Sequence, residues 1–147
     1  MYSITREFHF CYGHRLLHYD GKCAHPHGHN GRVEIMIESE TLDPHGMVLD
    51  FSELKRIVNG WLEKNLDHNM VLAEDDPLVP VLAAMHEPMY LMTCPPTAEN
   101  LARLVFDLVW KHGYPVSRVV FWETDKCSAT FTRSSEPQES SRGMTAP

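Results

Sequence analysis

Hydrophobic and polar side chains alternate along two segments near the beginning of the chain. In residues 2–12 the even positions carry aromatic or aliphatic side chains except at Arg6, and residues 30–39 alternate in the same way. Successive side chains of a β-strand point to opposite faces of a sheet, so both segments are predicted to be strands. Residues 15–28 contain glycine and proline and are predicted to form the loop between them.

Two longer segments carry apolar side chains at helical spacing. The first helix is predicted to begin after Asp50, an N-cap residue with Glu53 three positions later, and to end near Asn65. The second is predicted to begin after Thr97, its cap, and to end at Gly113. Apolar residues recur every three or four positions in both segments, so each helix is expected to bury one face.

The remaining patterns are shorter. Asp76 is followed by proline, which is typical of the start of a short helix. Residues 88–93 fit either a short strand or an ordered loop. Residues 116–124 and 128–133 are predicted to be two strands joined by a turn.

The order of these elements is typical of an α+β fold. It predicts a four-stranded antiparallel sheet with two long helices packed on one face, in a single domain of residues 1–133. Residues 134–147 are rich in Ser, Glu, Pro and Gly and are predicted to be a disordered tail. The sheet edges of so thin a domain need cover, so an oligomer is expected.

Length and charge exclude several classes of function. The 147-residue chain carries a net charge of −7, which does not suit nucleic acid, because phosphate backbones attract basic surfaces. No apolar run has the length of a membrane span, and the first ten residues lack a signal-peptide core. No nucleic-acid or membrane partner and a cytoplasmic location are therefore expected.

Histidine is the residue whose distribution demands an explanation, because five of the ten histidines lie between positions 14 and 29. His27 and His29 flank Gly28, and alternate residues of an extended segment point to the same side. His14, at the end of the preceding strand, can supply a third nitrogen. Three histidines and an open fourth position are typical of catalytic zinc. The alternative is a set of surface histidines that bind nothing.

Three further sets of candidate site residues each have an alternative interpretation. Cys23 is either a fourth zinc ligand or a thiol with a lowered pKa that acts as base or nucleophile, and spacing does not separate the two. Asp67 and His68 form an acid–imidazole pair, although spacing alone favours a histidine at a helix C-terminus. Glu123 ends an apolar strand, where a carboxylate either binds an aminopyrimidinone edge or is simply exposed.

Six short elements containing these residues occur in an order that resembles the 6-pyruvoyltetrahydropterin synthase / 6-carboxytetrahydropterin synthase family. They lie within residues 8–131, and the combination is highly specific, although singly only the Cys/His element is. The elements are Phe10-Cys-Tyr-Gly-His14-Arg-Leu, Cys23-Ala-His-Pro-His27-Gly-His29-Asn30, Gly46-Met-Val-Leu-Asp50-Phe51, Leu66-Asp67-His68, Pro96-Thr97-Ala-Glu-Asn100 and Trp122-Glu123-Thr124.

The resemblance implies a fold, an assembly and a substrate. The fold would be the tunnelling fold, whose trimers close a twelve-stranded barrel and pair into a homohexamer. The substrate would be 7,8-dihydroneopterin triphosphate. The short Cys-x3-His spacing resembles the carboxy-forming members, which implies 6-carboxy-5,6,7,8-tetrahydropterin, acetaldehyde and triphosphate as products. A 6-pyruvoyltetrahydropterin synthase and a non-catalytic zinc- or pterin-binding module on the same scaffold are the alternatives.

The resemblance also implies a role for each candidate residue. His14, His27 and His29 would hold Zn²⁺, which would act as a Lewis acid on the substrate hydroxyls. Cys23 would be the catalytic thiolate base, and Asp67 and His68 would relay protons. Glu123 would bind the edge of the pterin, and Thr97 would help at the ring.

The chain departs from the family pattern at two places. The segment between His68 and Thr97 is longer than in compact members, which affects substrate preference more than the metal site. Tyr12 and Gly13 stand where small residues are common before the first histidine.

Overall fold

The computed structural model describes residues 1–133, and the tail predicted for residues 134–147 lies outside them. Six strands and three α-helices make up the described part, with a short 3₁₀ turn at Lys22–Ala24. In chain order the elements are β1 (Tyr2–His14), β2 (His27–Ser39), α1 (Phe51–Asn65), β3 (Asn69–Ala73), α2 (Leu78–Ala84), β4 (Met89–Met92), α3 (Ala98–Lys111), β5 (Val116–Thr124) and β6 (Cys127–Thr132).

The six strands form one sheet in the order β4-β3-β1-β2-β5-β6. The prediction of four antiparallel strands is therefore wrong in number, although β1, β2, β5 and β6 do pair antiparallel. The additional strands β3 and β4 extend the sheet beside β1, and both pair in parallel. Strand β3 escaped prediction because Val71, Leu72 and Ala73 are all buried, and a strand buried on both faces shows no alternation.

Strands β1 and β2 form a long hairpin that pairs from Tyr2 with Ser39 to His14 with His27. Because His27, Gly28 and His29 take part in this pairing, β2 begins three residues earlier than predicted. From Phe8 onward the even-numbered β1 side chains are buried on the face covered by the helices, here called the helix side of the sheet. Odd-numbered ones such as Cys11 are exposed on the opposite, open side.

Helices α1 and α3 pack on the helix side of the sheet and enclose a single hydrophobic core, as predicted. Asp50 caps α1 by accepting a hydrogen bond from the backbone N–H of Ser52 at 2.7 Å. Thr97 caps α3 in the same way, accepting from Asn100 N–H at 3.3 Å. Gly113 follows the end of α3 with a φ of +83°, a left-handed conformation that favours glycine.

A buried ion pair fastens the short helix α2 to the end of β1. The Asp76 carboxylate accepts hydrogen bonds from Arg15 Nε at 2.7 Å and Nη2 at 2.5 Å, and a third from Leu78 N–H at 2.8 Å. The side chain of Asp76 is fully buried, and that of Arg15 is 17% exposed. The segment between His68 and Thr97, which is longer than in compact family members, is thus folded and packs against the end of β1.

Two edges of the sheet are open among residues 1–133. Strands β4 and β6 are the terminal strands, and β1 pairs with β3 only from Tyr12 to His14. The part of β1 before Cys11 therefore has one side without a partner strand within the described chain, whereas Cys11 bonds Asp67 and His68. None of the helices in the described part is long and apolar enough to cross a membrane.

Candidate metal centre and active site

The three predicted ligand histidines meet at the end of the β1–β2 hairpin. His14 and His27 are register partners, and His29 lies two residues further along β2. One ring nitrogen from each lies within 4.8 Å of the others. Gly28 permits this close approach, because a β-carbon there would lie 3.2 Å from the Tyr12 carbonyl oxygen.

Backbone carbonyls orient two of the rings. Nδ1 of His14 donates to the Pro96 carbonyl at 2.8 Å, and Nδ1 of His27 donates to the His25 carbonyl at 2.8 Å. A carbonyl accepts only from an N–H, so in the neutral rings the proton resides on Nδ1 and Nε2 carries a free lone pair. The two Nε2 atoms are 3.1 Å apart. Two lone pairs at this distance repel each other unless a cation lies between them.

The third histidine completes the donor set. Nε2 of His29 is buried and has no hydrogen-bond partner in the part of the chain that the structure describes. Burial lowers the pKa of His14 and of His29, which favours the neutral imidazole that binds metals. Metal–nitrogen bonds of about 2.0–2.1 Å in a tetrahedron separate the nitrogens by about 3.3 Å, close to the 3.1 Å between the Nε2 atoms of His14 and His27. The three histidines therefore fit a metal ion with a fourth position free.

Glu123 lies beside this cluster rather than at an isolated strand end. Its Oε1 is 3.7 Å from Nε2 of His14, and the side chain is 26% exposed. Tyr12 lies next to it in the core: burial, and then the Glu123 carboxylate, hold the pKa of this phenol well above its ordinary value. A carboxylate, a phenol and three imidazoles thus share one end of the helix side.

Cys23 lies in the 3₁₀ turn between β1 and β2 and is half-buried. Its carbonyl accepts from Leu16 N–H at 2.8 Å, which closes the loop on itself. The thiol does not belong to the group of mutually close ligand atoms formed by the histidines. Among the described residues the arrangement therefore gives no support to Cys23 as a fourth ligand.

Asp67 and His68 touch each other and dock on β1 next to Cys11. Oδ2 of Asp67 is 3.0 Å from Nδ1 of His68, and its Oδ1 accepts from Cys11 N–H at 2.9 Å. Burial opposes ionisation of Asp67, but these hydrogen bonds hold its pKa below the usual value. His68 has φ +58°, and its ring is 79% exposed.

Asp67 and His68 are separate from the metal centre within the described chain. Neither Asp67 nor His68 belongs to the group of three histidines. One cleft of about 810 Å³ nevertheless has His27, His29 and His68 in its wall. Exposed His68 therefore faces the same opening as two of the metal-site histidines.

Thr97 lies directly after Pro96, whose carbonyl orients His14. The start of α3 is thus placed next to His14, and the role of Thr97 at the ring stays a prediction. The Pro96 and His25 carbonyls and the Tyr12 phenol are the site groups that sequence reasoning missed. Backbone carbonyls leave no signal in a sequence, whereas Tyr12 was noticed only as a departure from the family pattern.

Sequence comparison identifies the relatives of this chain. The family model described as 6-pyruvoyl tetrahydropterin synthase matches residues 3–134. The chain is 31% identical over 134 residues to 6-carboxy-5,6,7,8-tetrahydropterin synthase of Rickettsia bellii, covering 86% of this chain and 97% of that one. The enzyme of the same name from Aquifex aeolicus is 30% identical over 159 residues, covering 88% and 97%.

Solved structures agree on the fold. An uncharacterized protein from Wolinella succinogenes superposes with a TM-score of 0.78 at 28% identity, covering 89% of this chain and 97% of that one. The 6-pyruvoyl tetrahydropterin synthase of Caenorhabditis elegans superposes with a TM-score of 0.67 at 24% identity, covering 90% and 96%. With a family model that spans almost all described residues, the chain belongs to the 6-pyruvoyl tetrahydropterin synthase family.

Proposed function

We propose that the chain is a zinc-dependent 6-carboxy-5,6,7,8-tetrahydropterin synthase. It would convert 7,8-dihydroneopterin triphosphate and water to 6-carboxy-5,6,7,8-tetrahydropterin, acetaldehyde and triphosphate, with residues 1–133 as the catalytic domain. The observation that carries the proposal is the convergence of three neutral histidine nitrogens beside a carboxylate. Relatives named for this activity, similar over nearly their whole length, support the choice of reaction.

His14, His27 and His29 would hold the zinc ion. Zinc is favoured because three imidazoles and one open position form its usual catalytic donor set, and bound there it would supply a Lewis acid. The chain's own contribution is orientation. The Pro96 and His25 carbonyls fix the rings of His14 and His27, and the hairpin pairing sets the spacing of the nitrogens.

Glu123 would bind the pterin ring. An ionised carboxylate accepts two hydrogen bonds, which matches the amino group and the neighbouring ring N–H of a pterin. Its position 3.7 Å from Nε2 of His14 would place the ring's side chain near the metal. Thr97, next to Pro96 at the start of α3, would contact the ring from the helix side.

Cys23, Asp67 and His68 would move protons. A thiolate at Cys23 would remove a proton from a side-chain carbon of the substrate. Cys23 lies in the loop between β1 and β2, a few residues before the ligands His27 and His29. Asp67 would hold the tautomer and orientation of His68 through their 3.0 Å contact. The exposed ring of His68 would then give or take the second proton at the shared cleft.

The enzyme would work as a cytoplasmic homohexamer, a dimer of trimers. The support is the pair of open sheet edges, since unpaired strand edges invite pairing with another chain. The antiparallel strands β1, β2, β5 and β6 of three chains would form a twelve-stranded barrel. A mass in solution equal to six chains is expected, and a mass equal to one chain would contradict the assembly.

The catalytic assignment is tested with Cys23→Ser, using Cys127→Ser as the matched control. Cys127 lies at the exposed start of β6, so the control changes a thiol to which no catalytic role is assigned. General base catalysis contributes about 10²–10⁴-fold, so Cys23→Ser is expected to lose at least about 100-fold in turnover with its zinc content unchanged. Full turnover in Cys23→Ser would remove the thiol from the mechanism.

The choice of product is tested by mass spectrometry after incubation with 7,8-dihydroneopterin triphosphate. A carboxy-pterin and acetaldehyde are the expected products. A pyruvoyl product would make the protein a 6-pyruvoyltetrahydropterin synthase. Bound zinc with unchanged substrate would leave only a zinc- or pterin-binding module.

A further inference from the structure

Glu123 lies at a β-bulge near the end of β5. The pairing of β5 with β6 is regular up to Trp122, but the next pair is Thr124 with Cys127, so Glu123 is an extra residue in β5. On the other side of β5, the pairing with β2 ends at Arg32 and Trp122. Among residues 1–133, Glu123 therefore has no register partner on either neighbouring strand.

The bulge leaves the direction of the Glu123 side chain to the residues around it. Bulges change the direction in which a strand presents a side chain and are frequent beside active sites. Phe121 belongs to the core on the helix side, so Trp122 points to the open side of the sheet. The Glu123 carboxylate is on the helix side, where its Oε1 is 3.7 Å from Nε2 of His14. Its orientation therefore depends on how firmly Trp122 is held.

Trp122 is held by an arginine that lies over its ring. The guanidinium carbon of Arg32 is 4.4 Å from the centre of the Trp122 ring, within the range of a cation–π contact. Two carboxylates fix the guanidinium, since Nη1 is 3.7 Å from Oε2 of Glu7 and Nη2 is 3.6 Å from Oε1 of Glu34. The side chain of Arg32 is 28% exposed, so water screens these contacts only in part. Arg32 is thus held on three sides.

We propose that Arg32 is a positioning residue whose stack on Trp122 fixes the last regularly paired residue of β5 and thereby orients the Glu123 carboxylate. The inference rests on the proposed function, in which Glu123 binds the pterin edge. Two parallel hydrogen bonds require both carboxylate oxygens to face the amino group and the ring N–H, so a small rotation of Glu123 weakens binding. Arg32 lies on the open side and acts through Trp122, without touching the reacting atoms.

The test compares Arg32→Met with the wild type, with Arg32→Lys and with a control, Arg133→Met. Arg133 lies 4.6 Å over the ring of Trp110, so the control removes a similar stack. Trp110 is near the end of α3, whereas the start of that helix borders the metal centre.

Two readouts separate positioning from stability. The first is the affinity of the zinc-loaded protein for pterin without a side chain, followed by the fluorescence of the pterin. This probe is uncharged, so a long-range effect of the arginine charge on the triphosphate does not enter. The second is the KM and kcat for 7,8-dihydroneopterin triphosphate. Zinc content and unfolding temperature are measured on the same samples.

Arg32→Met is expected to bind the ring about fivefold more weakly, the factor that a partly shielded cation–π contact contributes to an equilibrium constant. KM should rise by a similar factor, while kcat stays within about twofold, because the lost ring binding is common to ground and transition states. Arg32→Lys keeps a cation over the ring and should recover most of the affinity. Arg133→Met should match the wild type.

Trp122→Leu is an independent check, because it removes the ring and keeps the Arg32 charge. It should weaken ring binding in the same direction, and Arg32→Met should add little in that background. A lower unfolding temperature of Arg32→Met with unchanged ring affinity and KM would make the stack purely structural and overturn the positioning role alone. Failure of the wild type to bind the ring would overturn the proposed function and this inference with it.

Discussion

The buried ion pair between Arg15 and Asp76 should be indispensable to the stability of this fold, and Asp76→Ala tests this. The substitution removes three hydrogen bonds that the carboxylate accepts, two from the Arg15 guanidinium and one from Leu78 N–H. It leaves a guanidinium that is only 17% exposed without its counter-ion. Arg15 directly follows the metal ligand His14, so loss of the pair should also loosen the end of β1.

The magnitude follows from the burial of the two groups. Removing one partner of a buried ion pair costs about 3–5 kcal/mol. Water can still reach part of Arg15, so we expect the lower end, about 3 kcal/mol. An unfolding entropy of about 2.1 cal/mol/K per residue gives about 0.3 kcal/mol/K for 147 residues. The unfolding midpoint should therefore fall by about 10 °C.

Thermal unfolding followed by circular dichroism at one protein concentration provides the assay, within a double-mutant cycle. Asp76→Ala, Arg15→Met and the double variant are compared, with Arg56→Ala as a control for an exposed pair. The double variant should cost about 2 kcal/mol less than the sum of the single ones, because neither charge is left alone. The control should barely move the midpoint, because exposed pairs are screened.

The same pair predicts a pH dependence. The hydrogen bonds from Arg15 lower the pKa of Asp76 relative to the unfolded chain. Stability from this carboxylate is therefore present above the ordinary carboxyl pKa of about 4 and is lost as the pH falls through the lower folded value. Asp76→Ala should show a shallower acid destabilisation than the wild type. Strictly additive single effects, each below about 1 kcal/mol, would refute the reasoning.

The remaining predictions concern single positions. Gly60→Ala should stabilise α1 by about 0.5–1 kcal/mol, because its β-carbon meets open space, whereas Gly113→Ala should destabilise because φ is +83°; chemical denaturation measures both. Thr97→Ala should cost about 1 kcal/mol through loss of the α3 cap, and Thr97→Ser should cost much less. Gly28→Ala should weaken zinc binding measured by competition with a chelator, because the new β-carbon approaches the Tyr12 carbonyl at 3.2 Å.

The alternating and helical patterns predicted most of the fold. The structure confirms the strands predicted at residues 2–12 and 30–39 and the two long helices. These elements were predictable because each buries mainly one face, which produces a periodic pattern in the sequence. Strand β3 was missed because it is buried on both faces, and β4 was left undecided because four residues carry too little periodicity. The parallel pairing of β3 with β1 and with β4 spans intervening elements, β2 and α1 for the first and α2 for the second, which no local pattern reveals.

The metal centre was predictable in its residues but not in its chemistry. The spacing of His27 and His29, with His14 opposite them at the same end of the hairpin, was enough to bring the rings together. What orients His14 is the carbonyl of Pro96, which is distant in sequence and reached only through tertiary packing. The contact between Asp67 and His68 likewise depends on φ +58° at His68, a conformation that histidine adopts only rarely.

The most direct test of the central claim measures zinc content and product formation on the same samples of the wild type and His29→Ala, with His9→Ala as the control. His9 lies on the open side of β1 and is 71% exposed, so it does not belong to the centre. We predict one zinc ion per chain and a carboxy-pterin product for the wild type and the control, and neither for His29→Ala. Stoichiometric zinc and full turnover in His29→Ala would contradict the account.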